Sequence, residues 1–511
     1  MYRFNVGESY MFCDTIEFKG VELTINSSKL FHLDEFNLID NHYSITYSQV
    51  RNNMYIAGIL DLSKTYGKDS KLLYKCIPDD KRIPAFLIPY CKPPTFDKSC
   101  RYLYVTFQFK HWEHEHPHGI LTNTIGNVEE TKNMYEYMLF CKSLNHPIQP
   151  FTKKTIEELK KHNDVIDTIT QFPIRKGHIF TIDSTKSVDY DDAISIQGNV
   201  ISIYISNVPI LLDHLNLWES FSKRISTIYL PDKKRSMLPN VLTNKVCSLK
   251  QNTYRICLVM DIEYRDNKVY SSTFSICKAL ISRNYSFEEE KLLNHKDYIY
   301  MKQLCNVKSS YDLISKLMID YNHQSAILLK KHKMGIYKNI SFFYKQPHCI
   351  LDHIEKFKQT SSRYELYNEK SYYCQTTSPI RRLVDLLNMY LICKNENLYC
   401  FTDNSTLFYL KWIQQLEYIN TTTRYIRKLQ SKCKLIDLFE KEQHKIFKGF
   451  VFDKIKRSDN KYHYNVYLPE LDIFHSLSII QNLDEYCEKS FQLFMFKDEA
   501  LLKKKIKLMI I

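Results

Sequence analysis

Four aspartates, Asp183, Asp189, Asp191 and Asp192, fall within ten residues in the segment Thr181-Ile182-Asp183-Ser184-Thr185-Lys186-Ser187-Val188-Asp189-Tyr190-Asp191-Asp192-Ala193. Directly after them come two apolar runs, 193–196 and 200–205, joined by Gln197-Gly198-Asn199. Runs of this kind around a glycine turn predict a hairpin. The hairpin decides where the acids can stand. A strand sends neighbouring side chains to opposite faces, so a loop leading into the hairpin is what can turn several carboxylates to one side. Carboxylates gathered in this way repel one another unless a cation neutralises them. Hard oxygen donors suit Mg²⁺ or Mn²⁺. Two such ions suit in-line attack of water on a phosphodiester. An acidic surface turn and a calcium loop are the plainer readings. An EF-hand loop needs Gly at its sixth position and Glu at its twelfth. Counted from Asp183, those positions hold Val188 and Ile194, so that pattern fails.

A second signal is Thr377-Ser378-Pro379-Ile380-Arg381-Arg382-Leu383-Val384-Asp385. Ser378 suits a helix N-cap and Pro379 the first helical position. Ile380, Leu383, Val384, Leu387 and Leu391 repeat at helical spacing and predict one buried face. Arg381 and Arg382 then sit in a first turn, where the helix dipole disfavours cations. Free amides beside an arginine make sense where an anion docks, and phosphate is the obvious one. The alternative is that either arginine pairs with Asp385, one turn on.

The surroundings agree with a multidomain chain. Its 511 residues exceed one ordinary core. Residues 1 to about 150 are β-rich, with short apolar runs between turns such as Lys92-Pro93-Pro94 and His116-Pro117-His118-Gly119, and a small barrel or sandwich is expected. Residues 152–162, 287–335 and 377–445 read as helical, and strands return at 447–452 and 464–468 before the basic run 503–507. No apolar run is long enough for a membrane span, and the N-terminus lacks the pattern of a secretory signal. The 15 cysteines, with no Cys-x-x-Cys pair, read as free thiols in a reducing, cytoplasmic or nuclear compartment. A net charge of +14 points to a polyanionic partner or to a soluble lysine-rich surface. The 38 tyrosines offer faces for base stacking, although AT-rich coding also yields this composition. His111, His114, His116 and His118 alternate without a clean zinc spacing and read as a solvated loop.

The acid segment resembles the signature of the ribonuclease II/ribonuclease R (RNB domain) exoribonucleases, which include the catalytic subunit of the exosome. All four aspartates match in spacing, and the Thr377 to Asp385 segment looks like that catalytic domain's second signature. Between them, Arg224, Ser226, Tyr229-Leu230-Pro231, Met237-Leu238-Pro239 and Cys247-Ser248-Leu249 follow the family's order. Met318 through Asn322 and Ala326, with Gly335-Ile336-Tyr337, resemble its central helices, and Ala57-Gly58, Trp112 and Ile125-Gly126 resemble its second cold-shock barrel.

The resemblance implies an α+β multidomain chain. A cold-shock-type OB-fold RNA-binding region would occupy 1–150, an RNB catalytic α/β domain 165–445, and a short S1/OB-like region 446–511. It implies a Mg²⁺-dependent (or Mn²⁺-dependent) 3′→5′ exoribonuclease that degrades single-stranded RNA to nucleoside 5′-monophosphates, as a monomer or within an RNA-processing complex. Asp183, Asp189, Asp191 and Asp192 would hold metal, with Asp191 the most critical acid. Arg381 would contact the scissile phosphate, and Tyr229, Tyr285, Arg382 and Phe343 would contact RNA. The chain departs from the family at Met389-Tyr390, where the family has His-Arg, and at Ser315-Lys316, where it has paired glutamates. A non-catalytic RNA-binding protein and a DNA nuclease are the alternatives.

Overall fold

The computed structural model describes the chain except residues 1, 8, 11–14, 19–20, 25–28, 40–41, 53, 67–71, 93–99, 163, 266–267, 339–361 and 499–502. Phe343 and the Pro93-Pro94 turn lie outside the described residues. The chain divides into two compact units, Met1–Asn145 with Leu230–Asp232 and Lys428–Ile511, and His146–Tyr229 with Lys233–Arg427.

In the first unit the expected small barrel is present. Five strands close it in the order His118–Asn127, Phe86–Pro89, Leu73–Pro78, Ile56–Tyr66 and Tyr102–His111. Leu60, Tyr74, Phe86, Val105 and Phe107 fill its interior. Gly58 permits the closure, because a Cβ there would stand 2.8 Å from the Cys76 Sγ and 2.9 Å from the Ile77 carbonyl. His118 and Gly119 begin a strand instead of completing a turn, and the His118 ring stacks on His111 at 4.6 Å across the strand pair. Strand pairing therefore takes His111 and His118 out of the expected solvated loop, while His114 and His116 stay in the bend between the two strands. The C-terminal residues form a five-stranded antiparallel sheet in the order Ile473–Ile479, Tyr462–Leu468, Ile446–Lys456, Glu488–Asp498 and Lys503–Ile510. The basic run thus lies in the last strand.

The second unit is built on a mixed seven-stranded sheet. Its order is Ile174–Arg175, Lys268–Leu280, Tyr254–Arg265, Val200–Ser206, Asp192–Gln197, Phe180–Asp183 and Arg283–Ser286. The predicted hairpin is there, Asp192–Gln197 paired with Val200–Ser206, and Gly198 takes the left-handed φ of +58° that its turn needs. The Val200–Ser206 strand is buried along almost its whole length, as a central strand covered on both faces should be. Helices Ser310–Lys331 and Leu383–Asn395 lie in this unit, the first opened by a Ser309–Asp312 capping box. All 13 described cysteines are free thiols, and most are buried. Among the described residues no helix is long and apolar enough to cross a membrane.

Candidate active site

The strand Phe180–Asp183 runs antiparallel to Asp192–Gln197 and parallel to Arg283–Ser286. Asp183 ends the first strand and Asp192 begins the next, so the connecting loop, which carries Asp189 and Asp191, starts and finishes at one edge of the sheet. Chain connectivity alone brings the four acids to that edge.

Asp191 is the best held of them. Its side chain is 3% exposed. One carboxylate oxygen accepts the Ile380 N–H at 3.0 Å, and the other faces the Arg381 Nε at 3.1 Å. Burial raises its carboxyl to about 6, and the Arg381 guanidinium and the Ile380 amide hold it from rising further. Burial also raises Asp183, to about 7, against a hydrogen bond from Thr181 and with the charge of Asp191 adding to the rise. Asp192 is pushed well above the ordinary carboxylate range by burial and by the charges of Asp183 and Asp191. Asp189 accepts the Lys234 ammonium at 2.5 Å.

Whether these groups fit a divalent cation can be judged from their unmet needs. Among the described residues, none gives Asp183 Oδ2 or Asp189 Oδ1, both buried, a hydrogen bond. Each such oxygen costs about 1–3 kcal/mol if nothing satisfies it. Three acids are also held toward protonation by burial and mutual repulsion. A hard cation with oxygen ligands removes both faults at once. Among the described residues, the tight group with three ligand atoms within 4.8 Å is elsewhere, at His178, His295 and Asp297. No three of the four aspartates bring ligand oxygens within 4.8 Å of one another.

The second motif reaches this edge by a route the sequence does not show. Helix Leu383–Asn395 begins at Leu383 with Arg382 as N-cap, not at Pro379. Ser378 to Arg381 form a turn in which the N–H groups of Arg381 and Arg382 both donate to the Ser378 carbonyl, at 3.2 and 3.0 Å. The earlier amides serve side chains instead of a helix. Ser378 N–H donates to Asp385 at 2.8 Å and Ile380 N–H to Asp191. The helix is also buried on every side from Leu383 to Cys393, not on one face. Thr376, held by Asn322 through its N–H at 2.8 Å and its hydroxyl at 3.0 Å, pins the segment behind. In front, the Arg381 carbonyl accepts the Thr227 N–H at 3.0 Å and the Ser226 hydroxyl at 2.9 Å.

The two arginines therefore part ways. Arg382 takes the plainer role and pairs with the fully buried Asp385 at 2.7 Å. Arg381 faces Asp191 and keeps 46% of its side chain exposed. Tyr229, itself 46% exposed, is hydrogen-bonded by Arg381. It lies directly across a short strand pair from Lys234, which holds Asp189. So the structure gathers the four aspartates, Arg381 and Tyr229. Tyr285 is placed differently. It pairs in register with Ile182, one residue from Asp183, and so shares the face of Ile182 and Phe180. Its ring meets Phe180 edge-on at 5.5 Å and its hydroxyl lies 3.4 Å from His178. Two groups at the site were not legible beforehand, the Ile380 amide and Lys234. Nothing in Asp232-Lys233-Lys234-Arg235 marks which lysine turns inward; the cross-strand pairing does.

The carboxyl shifts carry a pH dependence. Asp183 and Asp191 sit above their unfolded value near 3.8, so without metal the folded chain binds more protons than the unfolded chain between about pH 4 and 7. Stability from these groups is present at low pH and lost as pH rises through 6 to 7. For Asp191 alone the loss is roughly 3 kcal/mol at about 1.4 kcal/mol per unit. The metal-free melting temperature should therefore fall by several degrees from pH 5 to pH 8, and millimolar Mg²⁺ should raise it far more at pH 8 than at pH 5. An equal Mg²⁺ increment at both pH values would contradict this assignment.

Known proteins resemble the chain as follows. Residues 172–297 match the family model for the RNB domain. Ribonuclease R of Chlamydia pneumoniae is 26% identical over 155 residues, 29% of this chain and 23% of that protein. Ribonuclease R of Chlamydia muridarum is 30% identical over 154 residues, 29% of this chain and 21% of that protein. Exosome complex exonuclease RRP44 of Homo sapiens is 28% identical over 204 residues, 38% of this chain and 21% of that protein. The matched stretches thus span between a fifth and a quarter of these relatives. In fold, the apo form of Mycoplasma genitalium RNase R matches over 95% of both chains with a TM-score of 0.67 and 16% identity. Yeast Ssd1, described as a pseudonuclease, matches over 90% of this chain and 69% of its own with a TM-score of 0.55 and 14% identity. The RNB resemblance read from the acid segment is borne out, and so is the α+β architecture, with a closed barrel ahead of the mixed sheet in sequence.

Proposed function

We propose that this chain, with its RNB domain over residues 172–297, is a magnesium-dependent hydrolytic 3′→5′ exoribonuclease that shortens single-stranded RNA and releases nucleoside 5′-monophosphates. The observation that carries the reading is the junction of the two motifs. Asp191 is buried, bonded to the Ile380 amide and faced by a half-exposed Arg381, beside carboxylate oxygens that lack partners among the described residues.

Asp183, Asp189, Asp191 and Asp192 would hold Mg²⁺, or Mn²⁺, which when bound supplies Lewis-acid activation of water and neutralises charge on the phosphate. The residues of the chain do the rest. Asp191 holds one edge of the Arg381 guanidinium and leaves the other donors for non-bridging phosphate oxygens. The ties from Thr227 and Ser226 to the Arg381 carbonyl fix that guanidinium before substrate arrives. Asp191, poised near 6 in the absence of metal, is placed to take the proton of the attacking water. Lys234 restrains Asp189. Tyr229 offers a half-exposed ring on which a terminal base can lie.

RNA as the ligand is supported by relatives. Mycoplasma genitalium RNase R has been solved with ribose-methylated single-stranded RNA and with double-stranded RNA. A net charge of +14 suits such a strand. In this reading the chain acts as a monomer in the cytoplasm or nucleus, with membership of an RNA-processing complex as its other setting. The second reading is a non-catalytic RNA-binding protein, since a pseudonuclease shares the fold. Fold does not separate the two, and the assembled acids favour catalysis.

The test is digestion of matched RNA and DNA strands with free 3′ ends in Mg²⁺, Mn²⁺ or EDTA. Shortening of the RNA alone, only with metal, is expected, because the 2′-OH separates the substrates. Equal loss of DNA would make it a DNA nuclease. RNA bound but intact would make it the non-catalytic protein.

A further inference from the structure

We infer that His178, His295 and Asp297 form a binding site for a transition-metal ion of the zinc class, distinct from the four aspartates. The site stands whatever the chemistry of those acids.

Two segments far apart in sequence build it. His178 lies just ahead of the strand Phe180–Asp183, at the opposite end from Asp183. Its turn is held by Ser282, whose hydroxyl donates to the Gly177 carbonyl at 2.6 Å and whose N–H donates to the Ile179 carbonyl at 2.7 Å. His295 is the N-cap of helix Lys296–Cys305, and Asp297 stands in its first turn. The imidazoles of His178 and His295 lie face to face, with centres 3.8 Å apart and planes 18° from parallel. One oxygen of Asp297, Oδ2, faces both rings, 3.2 Å from His178 Nδ1 and 3.9 Å from His295 Nδ1. One ligand atom from each residue thus falls within 4.8 Å of the other two.

Capping explains part of this, because His295 Nδ1 accepts the Asp297 N–H at 3.2 Å. It does not explain the second imidazole. A nitrogen that accepts an amide carries a lone pair, and here that nitrogen also faces a carboxylate oxygen. A proton on one ring answers one nitrogen, whereas a divalent cation answers both nitrogens and the carboxylate together. Burial and the neighbouring His295 hold His178 toward its neutral form, the form that binds metal. On its far side the His178 Nε2 lies 3.4 Å from the Tyr285 hydroxyl, placed as the outer partner that orients a metal-bound imidazole. The dipole at the helix start opposes a cation, and the charge of Asp297 offsets it. The nearby Arg283 is engaged by Glu289 at 3.1 Å. Two imidazoles and a carboxylate suit Zn²⁺, whereas Mg²⁺ takes oxygen donors. Ligand atoms around a tetrahedral zinc stand about 3.3 Å apart, so the His178–Asp297 edge already fits and the His295–Asp297 edge closes by less than about 1 Å. The three side chains are partly exposed, so the ion enters from solvent and water completes its shell. Bound there, it ties the strand that ends in Asp183 to helix Lys296–Cys305.

The test titrates Zn²⁺ into the full chain by calorimetry, with millimolar Mg²⁺ present to compete at the four aspartates. The wild type should bind one Zn²⁺ that His295→Asn and Asp297→Asn each bind at least about tenfold more weakly. Asparagine remains a good N-cap, so the helix start survives in His295→Asn. His178→Gln, on the other segment, is the third variant and keeps the test readable should either of the first two fold poorly. Co²⁺ in place of Zn²⁺ reports the ligands. The wild type should show the visible bands of a tetrahedral site with nitrogen and oxygen donors, and the variants should lose them. Equal Zn²⁺ uptake by the wild type and the folded variants, or none by any, overturns the site. A Co²⁺ spectrum dominated by thiolate charge transfer overturns it too, because the metal then sits on cysteine.

Discussion

Asp191→Asn should lower nucleotide release on the order of 10⁴-fold while leaving affinity for single-stranded RNA within about threefold. Asparagine has the same shape and can still accept the Ile380 N–H, so the turn that presents Arg381 should survive. It loses the charge that opposes Arg381, a metal ligand and the base for the attacking water together. The fold should not suffer. Asp191 is buried with its carboxyl raised to about 6, so removing its charge relieves the metal-free chain near pH 8. A melting temperature at or above that of the wild type, beside a lost rate, separates chemistry from unfolding. Single-turnover degradation and anisotropy measure the two quantities, and turnover within tenfold of the wild type would remove Asp191 from the mechanism.

The second large effect is at Arg381. Arg381→Ala should lower the rate about 10²–10³-fold, roughly the 3–4 kcal/mol that one preorganised donor to a developing oxyanion supplies. Arg381→Lys should recover only part of it, since an ammonium cannot hold Asp191 and span two phosphate oxygens in one plane. A pH profile adds a readout that mere loss of contact would not move. Arg381 lowers the Asp191 carboxyl against the rise caused by burial. Without the guanidinium, the acid limb of the rate profile should shift to higher pH, and in the lysine variant it should shift less. An Arg381→Ala enzyme with wild-type rate and an unmoved limb would place the arginine outside the reaction.

Much of the acid site was legible because it is local. The spacing of the aspartates and the Gly198 turn are properties of one short stretch, and hairpin geometry follows from them. The helix start was misread for a physical reason. Ser378-Pro379 carries a helix-opening signal, but the amides that would open the helix are claimed by Asp385 and by Asp191, which is 189 residues away in sequence. No window along the chain contains both partners. The same limit hid Lys234, whose inward turn depends on pairing with Tyr229. It hid the meeting of His178 with Asp297 as well, since the two stand 119 residues apart in sequence. Tyr285 shows how finely register matters. One residue separates the partner of Ile182 from that of Asp183, and that single step sends the tyrosine to the other face of the sheet.

The central claim is that the four carboxylates and Arg381 form one hydrolytic centre working from the 3′ end. The most direct measurement follows a 5′-labelled single-stranded RNA in Mg²⁺, with released nucleotides identified and Asp191→Asn run alongside. The expected result is a ladder that shortens from the 3′ end, release of nucleoside 5′-monophosphates, and neither in the variant or in EDTA. Internal fragments without monophosphates, or an identical ladder from Asp191→Asn, would contradict it.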